Sequence, residues 1–129
     1  MTTHAHKKKK GEAPPGWQGR IWLAGRDGTF IGYGRAILLE RIREYGSISK
    51  AARSMEMSYK HAWDLIRSMQ AQADAPVVET IRGGVGGGGA RLTLSGEELL
   101  AYFWEMYHRF NHFLEQETKI WQAAQRRKK

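Results

Sequence analysis

The stretch Gly46-Ser47-Ile48-Ser49-Lys50-Ala51-Ala52-Arg53-Ser54-Met55-Glu56-Met57-Ser58-Tyr59-Lys60-His61-Ala62-Trp63-Asp64-Leu65-Ile66 constrains the fold of this chain more than any other segment. Ile48, Ala51, Ala52 and Met55 fall at i, i+3, i+4 and i+7, the spacing of one apolar helical face, with Ser47 or Ser49 as N-cap. Ser58 can cap a second helix. In it Ala62, Leu65, Ile66, Met69 and Ala73 gather on one side at about 100° per residue, while Lys60, Asp64 and Arg67 fall opposite. The small side chains of Ala51 and Ala52 let two helices cross closely on a short turn. That layout is a helix-turn-helix, whose second helix enters a DNA groove; an ordinary helical hairpin is the rival reading of the same spacing.

The flanking segments extend the pattern. Ile21-Trp22-Leu23 and Phe30-Ile31 lie on either side of Gly25-Arg26-Asp27-Gly28, where a glycine after aspartate suits a hairpin turn, so a short two-stranded ribbon is expected over 20–32. Residues 35–45 carry Leu38, Ile42 and Tyr45 at helical spacing and end at Gly46, a good C-cap residue. Beyond Pro76, residues 77–82 and 90–94 read as two strands joined by Gly83-Gly84-Val85-Gly86-Gly87-Gly88-Gly89. A hairpin with a glycine-rich tip after a helix-turn-helix is a wing. The competing phosphate-binding loop lacks the Gly-Lys-Ser/Thr that would follow and leads into a strand instead of a helix.

From Ser95-Gly96-Glu97-Glu98, which has the Ser-x-x-Glu form of a capping box, a long helix is expected over 95–125. Leu99, Phe103, Met106, Phe110, Phe113, Ile120 and Ala124 alternate at spacings of four and three, broken at Glu117. Leu100, Tyr107, Leu114 and Trp121 repeat every seven residues beside them. Such a stripe on a helix of about 45 Å exceeds what a small domain covers. Pairing with a second copy is the leading expectation, a helix wrapping its own domain and a membrane-surface helix being the others.

Charge and composition restrict the function classes. The chain has 129 residues, room for one domain with tails, and holds 21 Lys and Arg against 13 Asp and Glu, a net charge of +8 that favours polyanionic partners. Residues 1–19, with His4, His6, the lysines Lys7 to Lys10 and Pro14-Pro15, read as a disordered basic arm, and residues 126–129 as a basic tail. Cysteine is absent, which removes disulfides, thiol nucleophiles and Cys-based zinc sites. No apolar run reaches the roughly 18 residues that span a bilayer, and the N-terminus has no apolar signal segment. A cytoplasmic protein is therefore expected. Of the histidines only His108 and His112 stand at i, i+4, without the glutamate of a His-Glu-x-x-His site, and nothing assembles an active site. Neither enzyme, cofactor nor metal is expected.

Several of these strings resemble the N-terminal DNA-binding domain of ModE-type molybdate-responsive transcription regulators. The resemblance rests on Gly46-Ser47-Ile48-Ser49, Ser58-Tyr59-Lys60-His61-Ala62-Trp63-Asp64, Val78-Glu79, and the glycine run through Ala90 with Leu92-Thr93 after it; it extends from about Ile21 to Tyr107. It implies a winged helix-turn-helix that dimerises through its C-terminal helix. Two departures stand out: Val85 replaces the lysine common within the family's wing, and the sequence ends at Lys129, before the molybdate-binding domains of the larger members. No small-molecule effector is evident in this chain.

The expected architecture is mainly α with small β: a winged helix-turn-helix over 20–94 with an N-terminal β-hairpin, then the dimerisation helix over 95–125. The expected function is a sequence-specific regulator binding double-stranded DNA as a homodimer on an inverted-repeat operator, linked to molybdenum or a related oxyanion. The alternative is an adaptor that uses the winged helix and the long helix for protein or RNA contacts. Candidate DNA contacts are Ser58, Tyr59, Lys60, Trp63, Asp64 and Arg67 on the second helix and Arg82, Gly84, Gly86, Gly87 and Arg91 in the wing. Trp63 borders the apolar face, so a core position is open to it, and Asp64 either accepts from cytosine or orients Lys60. The candidate interface comprises Leu99, Leu100, Phe103, Met106, Tyr107, Phe110, Phe113, Leu114, Ile120 and Trp121.

Overall fold

The computed structural model describes residues 15–82 and 88–128. They divide into two compact units, one of residues 21–105 and one that brings residues 15–20 together with 106–128.

Unit 21–105 begins with an antiparallel ribbon of β1 (Trp22–Gly25) and β2 (Gly28–Gly32), turned at Arg26-Asp27 with Gly28 at φ 96°. The first helix, α1 (Tyr33–Tyr45), buries Leu38 and Ile42, as their spacing requires. It stops where Gly46 adopts the left-handed conformation, its N–H donating to the Ile42 carbonyl. Helix α2 (Ile48–Ser54) is capped by Ser47, whose hydroxyl accepts from the Lys50 N–H at 3.1 Å, and it buries Ile48, Ala51 and Ala52. Glu56 makes the turn at φ 58°, after which Ser58 caps α3 (Tyr59–Ala73) by accepting from the His61 N–H at 3.0 Å. Ala62, Ile66 and Met69 of α3 are buried, and Lys60, Asp64 and Arg67 are exposed. The amphipathic reading of both helices is therefore what the chain adopts.

Side chains fasten the two ribbons to this frame. Arg35 donates to the Phe30 carbonyl and, at 2.9 Å, to the Ser68 hydroxyl, and Gln72 donates to the Thr29 carbonyl, so the first ribbon is tied to α3. The second ribbon, β3 (Val78–Ile81) with β4 (Gly89–Leu92), is antiparallel with Val78 opposite Leu92 and Ile81 opposite Gly89. Its base is held twice: Gln70 of α3 accepts from the Val77 and Val78 N–H groups, and the Ala90 N–H donates to the Gly46 carbonyl at 3.0 Å. The wing is thus anchored to the corner between α1 and α2.

Helix α4 (Leu94–Arg127) starts one residue earlier than expected, and its cap is not Ser95. Thr93 does that work: its hydroxyl accepts from the Gly96 N–H at 3.0 Å and donates to the Pro76 carbonyl at 2.6 Å. Its own N–H donates to the Val77 carbonyl. Ser95 stands two residues past the capping position, already inside the helix. The opening of α4 closes the core of this unit through Leu100, Phe103 and Trp104, with Trp104 edge-on to Tyr33 and Phe103.

In the other unit, residues 16–19, assigned from sequence to the basic arm, lie against α4. The Trp17 N–H donates to the Thr118 hydroxyl at 2.8 Å, and Gly19 passes so near Phe110 that a Cβ there would stand 3.1 Å from the ring. The glycines permit an approach that residue types alone do not announce. The arm's earlier residues lie outside the described residues. Among the described residues no helix is long and apolar enough to cross a membrane.

Candidate nucleic-acid interface

Along the exposed side of α3, Tyr59, Trp63 and Arg67 form a ladder at i, i+4 and i+8. The Tyr59 ring meets Trp63 edge-on at 6.4 Å, and the Arg67 guanidinium lies 5.4 Å from the Trp63 ring centroid. Trp63 is half-buried, bridging the apolar core and this outer row. Asp64 stands between two cations: its carboxylate accepts from Lys60 Nζ at 3.0 Å and from Arg67 Nη1 at 3.4 Å. The hydrogen bond from Lys60 holds the Asp64 carboxyl below the ordinary aspartate range. Asp64 thereby orients both candidate base-reading cations. The Ser58 oxygen is taken by the capping bond, which leaves its O–H to donate.

Wing residues are placed unequally. Arg91, opposite Glu79 in the ladder, donates to its carboxylate at 2.6 Å. Arg82 is exposed and has no partner among the described residues. Gly84, Gly86 and Gly87, and Val85 with them, lie outside the described residues.

Between the wing base and the helix-turn-helix lies an open cleft of about 460 Å³, reached by Ser49, Tyr59, Thr80, Ile81 and Arg82. Ser49, named from the sequence as an N-cap alone, and Thr80 were not given there as site residues, because they stand about thirty positions apart and meet through the folded chain, where the Ala90 N–H donates to the Gly46 carbonyl. Among the described residues no three His, Cys, Asp or Glu side chains come together as metal ligands do.

On α4 the expected interface set separates. Leu100 and Phe103, 1% and 4% exposed, lie in the core of unit 21–105. Leu99, Tyr107, Phe110 and Leu114 are half-buried, while Met106, Phe113, Ile120 and Trp121 are exposed.

Residues 36–97 match the family described as bacterial regulatory helix-turn-helix protein, lysR family. The chain is 43% identical over 95 residues to the molybdenum-pterin-binding protein MopB of Rhodobacter capsulatus, covering 74% of this chain and 35% of that protein. It is 45% identical over 82 residues to the molybdenum transport protein ModE of Herbaspirillum seropedicae, covering 63% of this chain and 30% of that protein. With the DNA-binding transcriptional dual regulator ModE of Escherichia coli the identity is 44% over 69 residues, 54% of this chain and 26% of that protein. The chain spans about a third or less of the length of these curated relatives. A helix-turn-helix packed on its apolar faces, with an anchored wing and an outward polar row on α3, has the architecture of a winged helix-turn-helix domain, and the family match falls on it. More particularly, its sequence is ModE-like over the 69 to 95 residues these relatives share with it.

Proposed function

We propose that this chain is a sequence-specific regulator that binds double-stranded DNA in the cytoplasm, linked to molybdenum or a related oxyanion as its relatives' names suggest, and that it is not an enzyme. The observation that carries the reading is the row on α3, where one carboxylate and one indole hold Lys60 and Arg67 outward at the helix start that meets base edges. Both cations can donate to guanine, and Ser58 and Tyr59 donate to phosphate. The net charge of +8 supplies the sequence-independent part of the affinity.

A homodimer completes the proposal. Exposed Met106, Phe113, Ile120 and Trp121 form an apolar face that two-fold pairing covers, and a two-fold protein reads an inverted repeat.

Gel shifts at stated salt, on the region upstream of its own operon, test the reading. Lys60→Ala and Arg67→Ala should each cost about 1–3 kcal/mol on the specific duplex and far less on an unrelated one. Equal affinity of wild type and both variants for the specific duplex contradicts the placement on α3.

A further inference from the structure

We infer that residues 16–20 are a strap that closes one half of the apolar stripe on α4 from within the chain and leaves the other half to a single second copy, so that assembly stops at two. This deepens the homodimer reading and rests on it.

Within the unit of residues 15–20 and 106–128 the two halves of the stripe differ in burial. Phe110, Leu114 and Thr118, at i, i+4 and i+8, are half-buried, whereas Met106, Phe113 and Ile120, at intervals of seven, are exposed. The strap follows the first row, running against the direction of α4. The Trp17 N–H donates to the Thr118 hydroxyl at 2.8 Å, and a Cβ on Gly19 would stand 3.1 Å from the Phe110 ring and 4.0 Å from Leu114 Cδ1. A Cβ on Gly16 would overlap the Thr118 side chain, and Gly16 adopts φ 142°, a conformation open to glycine. Two glycines and one backbone hydrogen bond therefore seat the strap on this row.

The width of the stripe decides what each half is for. A seam between two helices uses a narrow a/d column, whereas a wider apolar stripe needs a further layer. The row at intervals of seven is the one that keeps facing a partner helix along its length, and an identical helix presents the same interval. The adjoining row, left in water, would recruit additional copies. The strap takes it out of reach and presents the exposed side chains of Gln18 and Arg20 in its place, with Trp17 as its one apolar side chain. Closure at two matters for function, because a two-fold pair brings two helix-turn-helix units to one inverted repeat.

Light scattering across a micromolar concentration series, with circular dichroism on each sample, compares the full-length protein with Gly16→Val/Gly19→Val and with a chain lacking residues 1–20. Wild type should hold at twice the 14.7 kDa chain mass throughout. Both strap variants should keep the helix content of α4 while their mass climbs above two chains as concentration rises. The two variants displace the strap in different ways, so loss of helix in one leaves the other to decide. Adding Leu114→Glu to either should return the mass to two chains, because the uncovered row is then polar; a strap that only stabilises α4 gives no such rescue. Strap variants that stay at two chains, or fall to one, overturn the inference while wild type still pairs. Growth that Leu114→Glu leaves untouched overturns it as well, since the added copies then use another surface. A single chain mass for wild type removes the homodimer reading and this inference together.

Discussion

Asp64 shows how one exposed side chain organises its neighbours. Its carboxyl is held below its usual value chiefly by the hydrogen bond from Lys60, so the cluster helps the folded state above the ordinary aspartate pKa. That help is lost as pH falls through the lowered one. An NMR titration of Asp64 should give a midpoint below that of an unstructured aspartate, and Lys60→Ala should move it upward; a midpoint indifferent to Lys60 contradicts the pairing. Gly96 is the opposite kind of residue, needed for what it lacks. A Cβ there would overlap the Val77 carbonyl, a backbone group that cannot swing aside, so Gly96→Ala should destabilise by about 1–3 kcal/mol in urea denaturation. The polar row on α3 was legible because helical period alone places Lys60, Asp64 and Arg67 together. The Glu79–Arg91 pair and the Gly96 contact were not, since each depends on a strand register or a helix docking that no local spacing encodes.

Elements, more than residues, carry the agreement between sequence and structure. Helices α1 to α3 follow from apolar period, serine caps and Gly46, and the two ribbons follow from glycine turns between apolar runs. What period cannot show is which partner covers a stripe. The two-column stripe on α4 is uniform in sequence, yet Leu100 and Phe103 close the core of unit 21–105 while Phe113 and Ile120 stay exposed. Leu100→Ala should therefore cost about 2–5 kcal/mol of stability, whereas Phe113→Ala should leave the melting of that unit unchanged; similar losses from both would contradict the division. The start of α4 was misplaced for a related reason. Ser95-x-x-Glu98 satisfies the local rule, but Thr93, tied to Pro76 and Val77, fixes where the helix begins. In the α2–α3 turn Glu56 occupies the left-handed region, a conformation that costs a side-chain-bearing residue about 1–2 kcal/mol and that glycine adopts freely. Glu56→Gly should accordingly hold or raise the melting temperature, and a marked fall would show that the Glu56 side chain stabilises the turn.

At the scale of the whole molecule, the chain combines an exposed polar row on α3, an arginine at the wing with no partner among the described residues, and an apolar face on the second unit. If that face pairs two copies, light scattering at micromolar concentration should give twice the 14.7 kDa chain mass, and Phe113→Asp with Ile120→Asp should restore the single mass without unfolding unit 21–105. Paired copies also multiply affinity, because the second half-site is met at high effective concentration. The most direct measurement of the central claim, that this chain reads DNA sequence, is selection from a randomised duplex pool by the wild-type protein at physiological salt. The account predicts enrichment of one inverted repeat whose half-sites change when Lys60 or Arg67 is replaced; recovery of sequences no different from the starting pool would contradict it.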